Sequence, residues 1–204
     1  MDDDEIFNLF SESRRFLEFE ELLREFVKEL SNKVSVLAYN SLFRDCPFPG
    51  VFAATNHTID SIREAMQAQD YFNMYGYMIF KEIQRIIDDF SESDIPKRHE
   101  LKYHKKEHPV YDDAWIEHEM KNFLGEFPIN KKRERAHLRR LIEAEIPQKE
   151  YCLGVKKTLH AELKRLALKY FPRITDISGD GLRQVDYMLC EFACEIYNGI
   201  LAVL

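Results

Sequence analysis

The stretch HTIDSIREAMQAQDYFNMYGYMIFKEIQRIIDDF, His57 to Phe90, decides the fold. It has no proline, and its one glycine is Gly76. Ile59, Ile62, Met66, Phe72, Ile79, Ile83, Ile86 and Phe90 recur at helical spacing and drift around one face. The middle, YFNMYGYMIF, is apolar nearly all the way round, which suits a helix touched on several sides. Ser61-Ile-Arg-Glu64 has the form of a capping box at the start, and Thr58 is a rival cap. The spacing predicts one long central helix over about 57–90. At about 1.5 Å per residue it would reach roughly 50 Å, enough to be the axis of a bundle.

Working outward, Asp2, Asp3, Asp4 and Glu5 would favour a helix dipole at the N-terminus. An amphipathic run follows with Phe16, Phe19, Leu22, Leu23, Phe26, Val27 and Leu30. Ser31-Asn32 reads as a break, after which Val34 to Phe43 continues the helix or begins another. The β-branched VSVLAY leaves a short strand open there. Asp45-Cys-Pro-Phe-Pro-Gly50 is a connector, because two prolines and a glycine cannot continue a helix. Beyond the central stretch, two short helices are expected between Lys97 and Gly125, with Asp112 or Asp113 starting the second. Asn130 to Ile146 reads as a helix ended by Pro147. Tyr151 to Phe171 reads as another, ended by Pro172. The last helix, Leu182 to Leu204, is the most apolar, and must be enclosed by the chain's own helices or by a second copy; the aromatic-rich N-terminal helices exceed what one bundle core requires, so a homodimer is expected. The fold class is therefore all-α. One α-helical domain spans 1–204, with N-terminal helices in 1–44 and the bundle core in 57–204.

A chain of 204 residues can bury a core without staples. Its four cysteines (Cys46, Cys152, Cys190 and Cys194) fit a reducing compartment as small hydrophobes. No run approaches the ~20 apolar residues of a membrane span, and MDDDE is the reverse of a signal peptide. A cytoplasmic protein is expected. The net charge of −7 argues against a general DNA-coating protein, but the charge is uneven. Residues 1–31 carry ten acids and four bases, whereas Lys131–Arg140 carries six bases and one acid. Pro96–His108 carries five bases, two acids and three histidines. Two basic patches on an acidic body suit a specific polyanion or an acidic partner; they equally suit solvated faces that balance the N-terminus.

The densest cluster of reactive residue types is Arg98-His99-Glu-Leu-Lys102-Tyr-His104-Lys105-Lys106-Glu-His108. A histidine near neutral pH serves as acid or base, and an arginine stabilises a phosphorane-like transition state, so Arg98 with His104 suits RNA cleavage. Lysines nearby would hold phosphates. Metal readings are weaker. His104 and His108 are spaced as on one helix face, but Pro109 removes the supporting turn. Glu134-x-x-His137 is one half of a ferritin-like carboxylate site whose other half is missing. Cys190 and Cys194 have no matching histidine pair. No metal and no cofactor are expected. A nucleophile elbow, a phosphate-binding glycine loop and a dinucleotide fingerprint are absent from the sequence.

Ser61-IREAMQAQDYFNMYGYMIFKEIQR-Ile86, followed by Tyr103-His-Lys-Lys106, resembles the AbiV-type (abortive-infection) branch of the HEPN proteins over about residues 59–106. Lys81 stands where that pattern prefers an acid, Glu82 fits, and Arg85 replaces a lysine. The resemblance implies a compact helical bundle, often a homodimer. It also implies a metal-independent ribonuclease with an Arg-x4–6-His motif, which Arg98 and His104 satisfy. That motif here follows the second major helix rather than opening a late one. On this reading Arg98, His99 and His104 are catalytic, with His99 orienting the pair. Lys102, Lys105, Lys106, Lys131, Lys132, Arg133 and Arg135 would contact RNA, in a phage-defence role. The competing reading is a non-enzymatic adaptor whose basic patches dock on an acidic protein partner.

Overall fold

The computed structural model describes residues 3–48, 56–91, 110–126, 132–177 and 179–204. The fold is all-α: six α-helices, a π-helical turn and a 3-10 turn, with no strand among the described residues. The helices are α1 (Asp3–Ala38), α2 (Ile59–Ala68), α3 (Tyr71–Ser91), α4 (Asp113–Glu126), α5 (Lys132–Tyr170) and α6 (Gly179–Val203). Two compact units make up the chain, one from Met1–Tyr103 with Lys156–Leu204 and the other from His104–Val155. Helix α5 contributes residues to both.

Three helix boundaries differ from the sequence expectation. The first is in the central stretch, which is two helices rather than one. Asp70 has φ 58° and separates α2 from α3. An aspartate tolerates this left-handed conformation better than most side chains. Its N–H donates to the Gln67 carbonyl (2.9 Å), and its own carbonyl accepts from Met74 N–H (3.0 Å), which starts α3. Its carboxylate accepts from the Asn73 amide. At the other end of α2, Thr58 is the cap. Ser61 N–H donates to Thr58 Oγ1 (3.1 Å) and Thr58 N–H donates to Ser61 Oγ (2.7 Å), a capping box with serine in the third position.

The second is the break expected at Ser31-Asn32, which does not occur: α1 runs through it. Ser31 and Ser35 are both buried, and Ser35 Oγ donates to the Ser31 carbonyl at 2.7 Å, so this hydroxyl is satisfied inside the helix. The VSVLAY segment is helical as well, and passes into the π-helical turn Tyr39–Arg44, where Asp45 N–H donates to the Asn40 carbonyl (2.7 Å).

The third is Pro147, which lies inside α5 instead of ending it. An interior proline costs about 3 kcal/mol. Here the straight-chain Gln148, Lys149 and Glu150 follow it directly, and buried or half-buried Leu138, Ile142 and Ile146 precede it with Val155 beyond. Packing on both sides outweighs the missing hydrogen bond.

In the first unit, α3 carries the core. Phe72, Ile79, Phe80, Ile83, Ile86 and Ile87 are buried, and the helix packs on both α1 and α6. Phe80 is the aromatic hub: its ring lies 4.8 Å from Phe19, 6.0 Å from Phe26 and 4.6 Å from Phe171. The N-terminal aromatics Phe19 and Phe26 are therefore engaged within their own chain. Helix α6 buries a full face from Leu182 to Ile200, so the chain's own helices enclose most of its apolar surface. Gly76 lets α1 approach α3, since a Cβ there would lie 2.4 Å from Val27 Cγ2.

The described part of the second unit is α4 against the first half of α5. Ile116, Met120 and Leu138 are buried together, with Trp115, Leu124, Ile142 and Ile146 around them. Asp112 caps α4 as expected, accepting from Trp115 N–H at 2.9 Å. No helix among the described residues is long and apolar enough to cross a membrane.

Candidate nucleic-acid interface

Of the residues expected to act on RNA, Arg98, His99, Lys102, His104, Lys105, Lys106 and Lys131 lie outside the described residues. Lys132, Arg133 and Arg135 open α5 and are exposed. Arg133 lines a cleft of about 570 Å³ together with Phe123, Glu134, His137, Leu138, Arg140 and Leu141, whereas Lys132 and Arg135 are not among its lining residues.

The helical repeat explains the grouping. Arg133, His137, Arg140 and Leu141 fall at i, i+4, i+7 and i+8, one face of α5. Phe123 comes from α4 and is 44 % exposed, while Leu141 is 52 % exposed. The cleft therefore has two guanidinium groups, an imidazole and an accessible aromatic ring. Arg140 Nε donates to the Ala136 carbonyl (3.2 Å), which holds that guanidinium along the helix. Glu134 is the one carboxylate in the lining.

Arg139, a base of the same run, is committed elsewhere. It meets Asp113, Glu117 (3.3 Å) and Glu143 (2.8 Å), bracing α5 against α4. Lys149 lies 4.7 Å from the Trp115 ring centroid, and Tyr111 packs edge-on against the same ring at 4.9 Å. These contacts fix the wall that presents Phe123. His137 and Arg140 were not among the RNA contacts expected from sequence, although the four-residue period starting from Arg133 points to both.

Two charged clusters in the first unit are structural. Glu29 of α1 accepts from Lys169, from Arg165 Nη2 (3.0 Å) and from Tyr170 Oη (3.0 Å). These hydrogen bonds, with Lys169 the strongest, hold the Glu29 carboxyl at about 2, well below the usual 4.5. Burial, followed by the hydrogen bond to Glu29 and then that carboxylate's charge, pushes the Tyr170 hydroxyl up. Asp186 of α6 is buried with His160 Nε2 at 3.3 Å and Lys164 Nζ at 3.4 Å. A buried carboxylate needs such partners, and Lys164 and His160 supply them from successive turns of α5.

No group of three or more His, Cys, Asp or Glu is placed to hold a metal ion among the described residues. Glu134 and His137 share the α5 cleft with arginines rather than with further carboxylates. Comparisons with family models, with curated proteins and with solved structures give no match to this chain.

Proposed function

We propose that the protein acts on RNA, binding it through the Arg133–His137–Arg140 face of α5 and cutting it as a HEPN-like, metal-independent endoribonuclease in phage defence. The observation that carries the RNA-binding part is the convergence of Arg133, His137 and Arg140 on one open cleft beside the exposed Phe123 ring. Guanidinium groups neutralise phosphates, and an accessible aromatic ring stacks on an unpaired base. Such a site favours single-stranded RNA over a duplex, whose bases are already stacked.

The cleavage part rests on the sequence resemblance. In that reading His104 takes the proton of a ribose 2′-hydroxyl as it attacks the adjacent phosphorus. Arg98 stabilises the charge that builds on the phosphoryl oxygens, and the 5′-oxygen leaves with a proton. The products are a 2′,3′-cyclic phosphate and a free 5′-hydroxyl. A homodimer is part of the same reading.

Incubating the purified chain with total RNA, with and without a chelator, tests the proposal. Cleavage that persists in chelator, gives 2′,3′-cyclic phosphate ends and is lost in both Arg98→Ala and His104→Ala is the expected result. RNA binding without cleavage would leave the α5 cleft as a binding site and remove the enzyme. Neither binding nor cleavage, together with capture of an acidic protein by the same face, would favour the adaptor reading.

A further inference from the structure

A second cleft, in the first unit, has no part in the function proposed above. About 480 Å³ in volume, it lies between α1 and α2 with the start of α3 at one side. Its lining includes Arg24, Lys28 and Ser31 from α1 and Arg63 from α2. The helical period again gathers them: Arg24, Lys28 and Ser31 fall at i, i+4 and i+7 of α1, and Arg63 and Gln67 at i and i+4 of the facing α2.

Three features point to an anion. The lining carries three cations against one carboxylate, Asp70, whose Oδ1 already accepts from the Asn73 amide. Arg24 and Lys28 are exposed and make no ion pair among the described residues, whereas Arg63 already pairs with Asp60. Ser31, only 4 % exposed, has its Oγ buried without a hydrogen-bond partner, and Arg63 Nε is buried without one too. Arg63 is held in place from its far side, where Nη1 donates to Asp60 Oδ1 at 2.7 Å. A serine hydroxyl, a fixed guanidinium and two free cations make a donor set for the oxygens of a phosphate. The size of the cleft is that of a small-molecule site, and Val27 and Phe72 provide apolar lining beside the donors.

We propose that this cleft binds a phosphate group carried by a small molecule, with Arg63 and Ser31 fixing the phosphate and Arg24 and Lys28 completing its charge. The gain from neutralising the anion at Arg24 and Lys28 falls with salt, whereas the contribution of the buried donors persists.

Isothermal titration of the purified chain with inorganic phosphate, pyrophosphate, nucleoside mono- and diphosphates and sulfate tests this. Saturable binding of at least one phosphate compound, tighter than sulfate, is expected. Lys28→Gln should weaken it about tenfold, the loss of one charge-assisted contact. Lys28 is an exposed side chain without an ion pair, so the variant should keep the wild-type circular dichroism and melting temperature. Ser31→Ala, which fills a helix position with a good helix former, should weaken binding without destabilising the fold. No saturable heat with any phosphate compound, equal affinity for sulfate, or affinity unchanged in both variants would overturn the proposal. RNA binding that depends on Lys28 while the small phosphates fail to bind would overturn it too. RNA affinity governed by Arg133 and Arg140 alone would leave the two sites separate.

Discussion

Glu29 joins three partners from the end of α5, and their hydrogen bonds pull its carboxyl down to about 2. Its folded pKa of about 2 lies below the unfolded value of 4.5, so it contributes stability that is fully present above pH 4.5. That contribution is lost as pH falls from 4.5 towards 2, where the carboxyl protonates in the folded state as well. Arg165 and Lys169 are about half exposed, so solvent screens the cluster, and Glu29→Gln should cost about 1–2 kcal/mol rather than the full value of a buried pair. Urea melts at pH 7 and pH 3 check this: the variant should differ from wild type at pH 7 and approach it at pH 3. An equal difference at both pH values would mean that the carboxylate charge is not what matters.

The crossing of α1 and α3 depends on Gly76. A helix-interior glycine is normally about 1 kcal/mol worse than alanine, so replacing it should stabilise an unconstrained helix. Here the added methyl would meet Val27 Cγ2 at 2.4 Å, and a β-branched side chain has few rotamers into which it can retreat. Gly76→Ala should therefore destabilise by about 1–3 kcal/mol. In a Val27→Ala background the same substitution should be neutral or stabilising. A double-mutant cycle by chemical denaturation reads the sign change, and additive effects would show that the contact is not limiting. This position was visible in the sequence as the one glycine of an apolar helix, but its neighbour was not, because Val27 lies in a different helix. The misplaced helix breaks have the same origin. Ser31-Asn32 and Pro147 are local breakers overridden by packing, with Ser35 Oγ bonding back to the Ser31 carbonyl across the first of them. Asp70 breaks a stretch in which no glycine or proline marks the break, through a backbone conformation that aspartate tolerates. The α5 cleft was half legible: the period from Arg133 to Arg140 is written in the sequence, whereas the approach of Phe123 from α4 depends on the packing of Ile116, Met120 and Leu138.

A chain with net charge −7 does not attract RNA by its overall field. Binding must come from a local face, and the six bases of Lys131–Arg140 are not equivalent in supplying one. Arg139 is consumed by Asp113, Glu117 and Glu143, while Arg133 and Arg140 open into the cleft. The salt dependence of RNA binding follows from that division, because each phosphate neutralised on a single strand contributes about 0.7 to the slope of log K against log salt. The decisive measurement is fluorescence anisotropy of a labelled single-stranded RNA across a salt series, for wild type and for Arg133→Ala/Arg140→Ala. The expected result is saturable wild-type binding whose slope falls by about 1.4 in the double variant, with affinity reduced at every salt concentration. Absence of binding at low salt, or a slope and affinity unchanged by the double substitution, would contradict the assignment of this face to RNA.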